Sequence, residues 1–358
     1  MPSLKEIKGR INSISSTLAI TSAMKMVASA KLQKAQMAIQ NMLPYERRLY
    51  SMLLDLMGAM NISAAASEDG SVRGSGSAER GFDQSGDRLS LSNRHDLAGM
   101  DGAYSLMAQR EVRKVAIVAF ASNSSLCGAF NSNAIREATA VINEYRASGL
   151  RDSDIVVYSV GRKMAEAMRK LGFPSPADFT KMSDSPSYEA ASALAQELLD
   201  GFVSGRFDKV ELVYNHYKST SSQPTTRQTY LPLSLADATA DLQAGKIADS
   251  ASESDTNRGA EPVGAPVVRQ GSPTTEDLIV EPSKEELIGT LLPKVIRLRI
   301  FTTLLDSAAA EHAARTVAMQ LATDNGNDLL QELTLEYNKG RQQKITSEIL
   351  DLVGGSMQ

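Results

Sequence analysis

Between Pro293 and Gly354 a helical pattern runs without a break for about sixty residues, on the order of 90 Å at 1.5 Å per residue. No compact domain needs a helix of that length, so the segment must project from whatever carries it. Its apolar seam steps through Leu298, Phe301, Leu305 and Ala308, is interrupted by His312 and Arg315, and resumes with Met319, Ala322, Leu329 and Leu333. A seam built on steps of three and four marks a coiled coil, and a coiled coil needs a second long helix.

The other end of the chain offers one. Residues 4–57 set Ile7, Ile11, Ile14, Leu18, Thr21, Lys25, Ala28, Leu32, Ala35, Ile39 and Met42 along one seam. Pro44 should bend this helix near Leu43, because proline lacks the N–H that the helical ladder requires. Two helices at opposite ends of one chain, both entering the same central domain, must run antiparallel if they pair. The C-terminal helix is the longer, so its end should project alone.

The middle of the chain alternates. KVAIVAFA (114–121) reads as a buried strand before the helix AFNSNAIREATAVINEY, and DIVVYSV (154–160) as a second strand before GRKMAEAMRKLG. A further helix covers about 187–203, with Ala191, Leu194, Leu198, Leu199 and Phe202 turned inward. KVELVYNHYKS and RQTYLPL then read as neighbouring strands. Strands separated by helices imply a mostly parallel α/β sheet. Two polar stretches rich in Ser, Gly and Asp interrupt this order and read as flexible excursions. The expected organisation is an N-terminal helix (1–61), an insertion (62–111), an α/β domain (112–233), a second insertion (234–279) and a C-terminal helix (280–358).

Charge and chemistry then narrow the function. The net charge of −4 gives no global basic character for nucleic acid. Up to Lys34, however, six basic residues face Glu6 alone, which suits an acidic partner. The single cysteine, Cys127, excludes an intramolecular disulfide and fits a reducing compartment. No apolar run reaches the ~18 residues of a membrane span, so the expectation is a soluble chain, cytoplasmic or docked from the cytoplasmic side. No Walker-type loop and no dinucleotide fingerprint are present. His95, His216 and His312 are scattered without zinc spacing, so neither metal nor cofactor is expected and no residue reads as catalytic. His312 reads as a polar interruption of the seam, and Cys127 as a small buried apolar residue. Gln342 and Thr346, four apart, share a helix face with Arg341 on its edge. That cluster fits either a solvated helix end or directional hydrogen bonds to a partner.

Both ends of the chain resemble the γ-subunit family of F-type ATP synthases. The most specific words are AMKMVA, ATDN and YNKGRQQKITSEI, in order at the expected ends, with LCGAF and VEPSKEELIGTLLP as central landmarks. One departure is Asn123-Ser124-Ser125, where the family usually has an Asp–basic–Gly turn before Leu-Cys-Gly. The resemblance implies an antiparallel two-helix coiled coil on a Rossmann-like α/β domain, inside a ring of three α and three β subunits. It also implies ε and δ subunits, a membrane c-ring driven by protons, and a peripheral position on the cytoplasmic face of a bacterial inner membrane. ATP chemistry would belong to β. The implied β contacts are Arg341, Gln342 and Thr346 near one tip, with Met24, Lys25 and Lys31 in the N-terminal helix. The alternative is a static coiled-coil tether. The stretch AITSAMKMVASAKL, small, soft and basic, would then suit a surface that slides rather than interlocks.

Overall fold

A computed structural model describes residues 3–59, 106–107, 109–233, 281 and 283–356. The excursions 62–111 and 234–279 lie outside the described residues except for 106–107 and 109–111.

Helix α1 spans Leu4–Ala59, 56 residues, and α6 spans Lys284–Ser356, 73 residues. Each begins on the same device. The Ser3 hydroxyl accepts from Glu6 N–H at 3.2 Å, and the Ser283 hydroxyl accepts from Glu286 N–H at 3.2 Å. A Ser-x-x-Glu start satisfies donors that the first helical turn would leave free. Both prolines lie inside these helices. The expected bend at Pro44 does not end α1, and α6 starts nine residues before Pro293 because Ser283 caps it there.

The two helices run antiparallel, and pairing numbers fall on α6 as they rise on α1. Leu4 meets Gly340, Leu18 meets Gly326, the Thr21 and Thr323 hydroxyls lie 3.0 Å apart, and Thr302 donates to Glu46 at 3.1 Å. All eleven expected seam positions of α1 are buried or half-buried. On α6, past Met319, the expectation fails at two of three positions and holds at Leu333. Ala322 and Leu329 are exposed, and the seam instead passes through Thr323, Gly326, Leu330 and Leu333. The step after Met319 is four residues, not three. Gly326 is what the apolar pattern cannot show: a Cβ there would stand 2.6 Å from Leu18 Cδ2, so the missing side chain makes the hole that Leu18 fills.

Between the helices lies a four-stranded sheet of β1 (Val115–Phe120), β2 (Ile155–Val160), β3 (Lys209–Asn215) and β4 (Thr225–Leu231), in the order β2-β1-β3-β4. The first three are parallel and β4 is antiparallel to β3. The connecting helices are α2 (Phe130–Ala147), α3 (Arg162–Lys170), the short α4 (Thr180–Asp184) and α5 (Tyr188–Val203). Strand β1 is buried on both faces, as a central parallel strand must be. Ala116, Val118 and Phe120 pack on one side with α5, the base of α1 (Tyr50, Leu53, Leu56) and α6 (Leu292, Ile296, Ile300). Val115, Ile117 and Ala119 pack on the other with α2 and α3. The shaft is therefore rooted in the domain's core, and the inward face expected of α5 is the observed one.

Candidate functional site: the shaft, its tip and its seat

Beyond Leu4, α6 has no partner helix among the described residues. From Gly340 to Ser356 it runs a further sixteen residues, about 24 Å. Residues 341–350 are all exposed, including Ile345, Ile349 and Leu350. Arg341, Gln342 and Thr346 sit on this free segment, with the Thr346 hydroxyl donating to the Gln342 carbonyl at 2.9 Å. That bond occupies the only hydroxyl proton of Thr346 and leaves its oxygen as an acceptor. Met24 is 40 % exposed and Met26 67 %, whereas Lys25 is half-buried on the seam and Lys31 is exposed. The six residues expected to meet a partner thus fall in two places: the tip of α6, and α1 further down the shaft.

The seat of the shaft was not foreseen. Arg315 donates to the Ser125 carbonyl at 2.6 Å, the Ser124 hydroxyl at 2.8 Å and Glu311 at 2.8 Å, tying α6 to the loop after β1. Beneath that loop Cys127 packs with Phe130, Ala310 and Ala314, which makes it the small buried residue expected. On the other side Asp306 accepts from His216 Nδ1 at 2.6 Å and from Tyr217 N–H at 2.9 Å, while Gln36 donates to the Tyr217 hydroxyl at 2.6 Å. Two loops from the sheet's C-terminal edge therefore grip both helices. Apart from Arg315–Glu311, these contacts join residues roughly ninety or more apart in sequence, and one ends on a backbone carbonyl, so no local motif announces them.

Two histidines at this seat shift in opposite directions. The hydrogen bond to Asp306 raises the pKa of His216. Burial, with repulsion from Lys31 and Arg315, lowers that of His312 to about 4, and its Nδ1 is buried without a hydrogen-bond partner. The His216 pair stabilises the fold fully below the ordinary histidine value and fades as pH rises through the raised one. His312 works the other way: the unfolded chain takes up its proton first, so stability falls as pH drops from about 6.5 toward 4. The pair is half-exposed and contributes about 0.5 kcal/mol, so His312 dominates the acid limb. Replacing it, His312→Gln, should remove about 1 kcal/mol of the stability lost between about pH 6.5 and 5. Thermal unfolding at the two pH values checks this, and equal acid losses in both proteins would refute it.

Among the described residues no group of histidine, cysteine and carboxylate side chains could hold a metal ion, and no helix is long and apolar enough to cross a membrane. What the geometry defines is a two-helix shaft seated on an α/β domain, with one end bare. The chain belongs to the ATP synthase family, whose sequence pattern matches residues 3–357. ATP synthase gamma chains of Phocaeicola vulgatus, Parabacteroides distasonis and Flavobacterium johnsoniae are 47 %, 40 % and 35 % identical to it, over 98 % or more of each chain. The fold is similar to that of a chain in the Euglena gracilis mitochondrial ATP synthase, with a TM-score of 0.52 and 18 % identity over 99 % of this chain and 93 % of that one.

Proposed function

We propose that this chain is the central rotor shaft of an ATP synthase, transmitting torque without catalysing a reaction itself. In this reading it turns within a ring of three α and three β subunits. It couples proton-driven rotation of a membrane c-ring to ATP synthesis at β, and the reverse on hydrolysis. The ε and δ subunits complete the catalytic sector, which sits peripherally on the cytoplasmic face of a bacterial inner membrane. The reading rests on one observation above others. A sixteen-residue helical tip bearing exposed Ile345, Ile349, Leu350 and Leu352 is a surface that water alone does not suit, so it is built to enter a partner. The missing phosphate loop agrees with ATP chemistry residing in another subunit.

Arg341, Gln342 and Thr346 are the polar groups of that tip and would bond to β as it passes; Met24, Lys25 and Lys31 would meet it lower on the shaft. The exposed Met24 and Met26 give soft contacts that do not lock against any one of three neighbours. Combining Gln342→Ala with Thr346→Ala should lower the ATPase rate of the assembled complex about tenfold, equivalent to losing one good interfacial hydrogen bond. Subunit composition should stay intact, with one copy per complex. Unchanged turnover would refute the tip contacts, and recovery of the chain as a dimer free of α and β would refute the rotor.

A further inference from the structure

A groove of about 570 Å³ opens on the free edge of the sheet, between α3 and residues 174–179. That volume lies within the range of ordinary small-molecule sites. Its floor is Ser159 at the end of β2, which is 1 % exposed. The Ser159 N–H donates to the Ser175 hydroxyl at 3.3 Å, yet its own hydroxyl oxygen is buried and has no hydrogen-bond partner. Buried polar atoms are nearly always paired, so an unpaired one at the floor of a groove points to an occupant.

The charged groups of the walls differ in what they leave open. Asp178 accepts from the Thr180 N–H at 2.9 Å, and that bond holds its carboxyl below the usual range. Glu166 lies 3.5 Å from Lys163 and 3.9 Å from Arg162. Arg169 has no ion pair and no side-chain hydrogen bond among the described residues. Pro174 and Phe179 supply an apolar wall opposite α3. The open valences are therefore the Arg169 guanidinium, the Arg162 guanidinium held only by its 3.9 Å ion pair, one hydroxyl and an apolar surface.

We propose that this groove binds a small amphipathic anion, a carboxylate carried on an apolar ring or short chain. The carboxylate pairs with the planar fork of Arg169, an acceptor takes the Ser159 proton, and the apolar body lies on Pro174 and Phe179. The site is on the α/β domain, and its occupancy does not depend on the shaft's role as a rotor.

Ligand-observed saturation-transfer NMR on the full chain tests it with three probes. Benzoate carries charge and ring, benzyl alcohol the ring alone, and acetate the carboxylate without a ring. Benzoate should bind saturably with a Kd of about 1 mM, and each of the other two about tenfold more weakly. Arg169→Ala and Ser159→Ala should each weaken benzoate about fivefold with the circular dichroism spectrum unchanged; neither removes a bond that the fold uses. No saturable signal by about 10 mM benzoate, equal binding of either other probe, or indifference to both substitutions would overturn the proposal.

Discussion

Gly161→Ala is expected to destabilise the α/β domain by about 4 kcal/mol or more, which removes most of a typical domain's margin of about 5 kcal/mol. Two costs combine at this position. The backbone φ is +99°, in a region that side chains rarely occupy, which alone costs about 1–3 kcal/mol. A Cβ would also stand 2.0 Å from the Ala121 carbonyl oxygen and 2.8 Å from its carbon. Both neighbours are backbone atoms and cannot swing away. They belong to the corner where β1 and β2 end together: Ala121 N–H donates to the Val160 carbonyl at 2.9 Å, and Lys163 N–H to the Ser122 carbonyl at 3.1 Å. Separating the strands to admit a methyl group would break those bonds.

Gly149→Ala is the control. Its φ is +96°, but no atom lies within 4 Å of the added Cβ, so only the conformational cost of about 1 kcal/mol applies. Chemical denaturation of the two variants should separate them by about 3 kcal/mol. Equal losses would show that the corner yields, and the close approach would then carry no energetic weight. The corner matters to function because it also carries Ser124 and Ser125, which Arg315 uses to hold the shaft.

What the sequence disclosed follows from which interactions are local. The seam of α1 repeats within the helix, so it can be read residue by residue even where Thr21 and Lys25 fall on it. Strands β1 to β4 stand out because short apolar runs alternate with helical periods. The same reading misplaces α6 beyond Met319, because a seam position filled by Gly326 looks like a gap until Leu18 is seen to occupy it. The Ser283-x-x-Glu286 cap is a local signal in the sequence, but Pro293 ten residues on is the stronger break and masks it. The bare tip was legible too, since Arg341, Gln342 and Thr346 lie on a polar stretch that continues past the end of any partner helix. The seat was not. Arg315 reaching a carbonyl 190 residues away, or Asp306 serving both His216 and Tyr217, depends on how loops fold over the sheet edge.

The second large effect lies beneath α2. Glu211, 1 % exposed in β3, accepts from the Tyr145 hydroxyl at 2.6 Å, from Arg227 Nε at 2.7 Å and from Lys209 Nζ at 2.7 Å. Burial alone would push its carboxyl up, but the hydrogen bonds from Arg227, Lys209 and Tyr145 outweigh it and hold the group below its usual range. Deleting one member of a buried ion pair commonly costs about 3–5 kcal/mol, because the other charge is stranded. Here both cations are about a third exposed, and Arg227 keeps Glu144, so they can turn toward water and part of that cost is avoided. Glu211→Ala should therefore cost about 2–3 kcal/mol, and Glu211→Gln, which preserves shape and one acceptor, about 1–2 kcal/mol. The sign of the pH dependence follows from the lowered pKa. The carboxylate's contribution is fully present above the ordinary carboxylate value and is lost as pH falls through the folded one. Urea midpoints of the native chain and Glu211→Gln should therefore stay apart from neutral pH down to the ordinary carboxylate value of about 4.5 and converge only in more acid medium. A gap that stays constant would mean that Glu211 acts by shape alone and that the three donors at its carboxylate contribute nothing net.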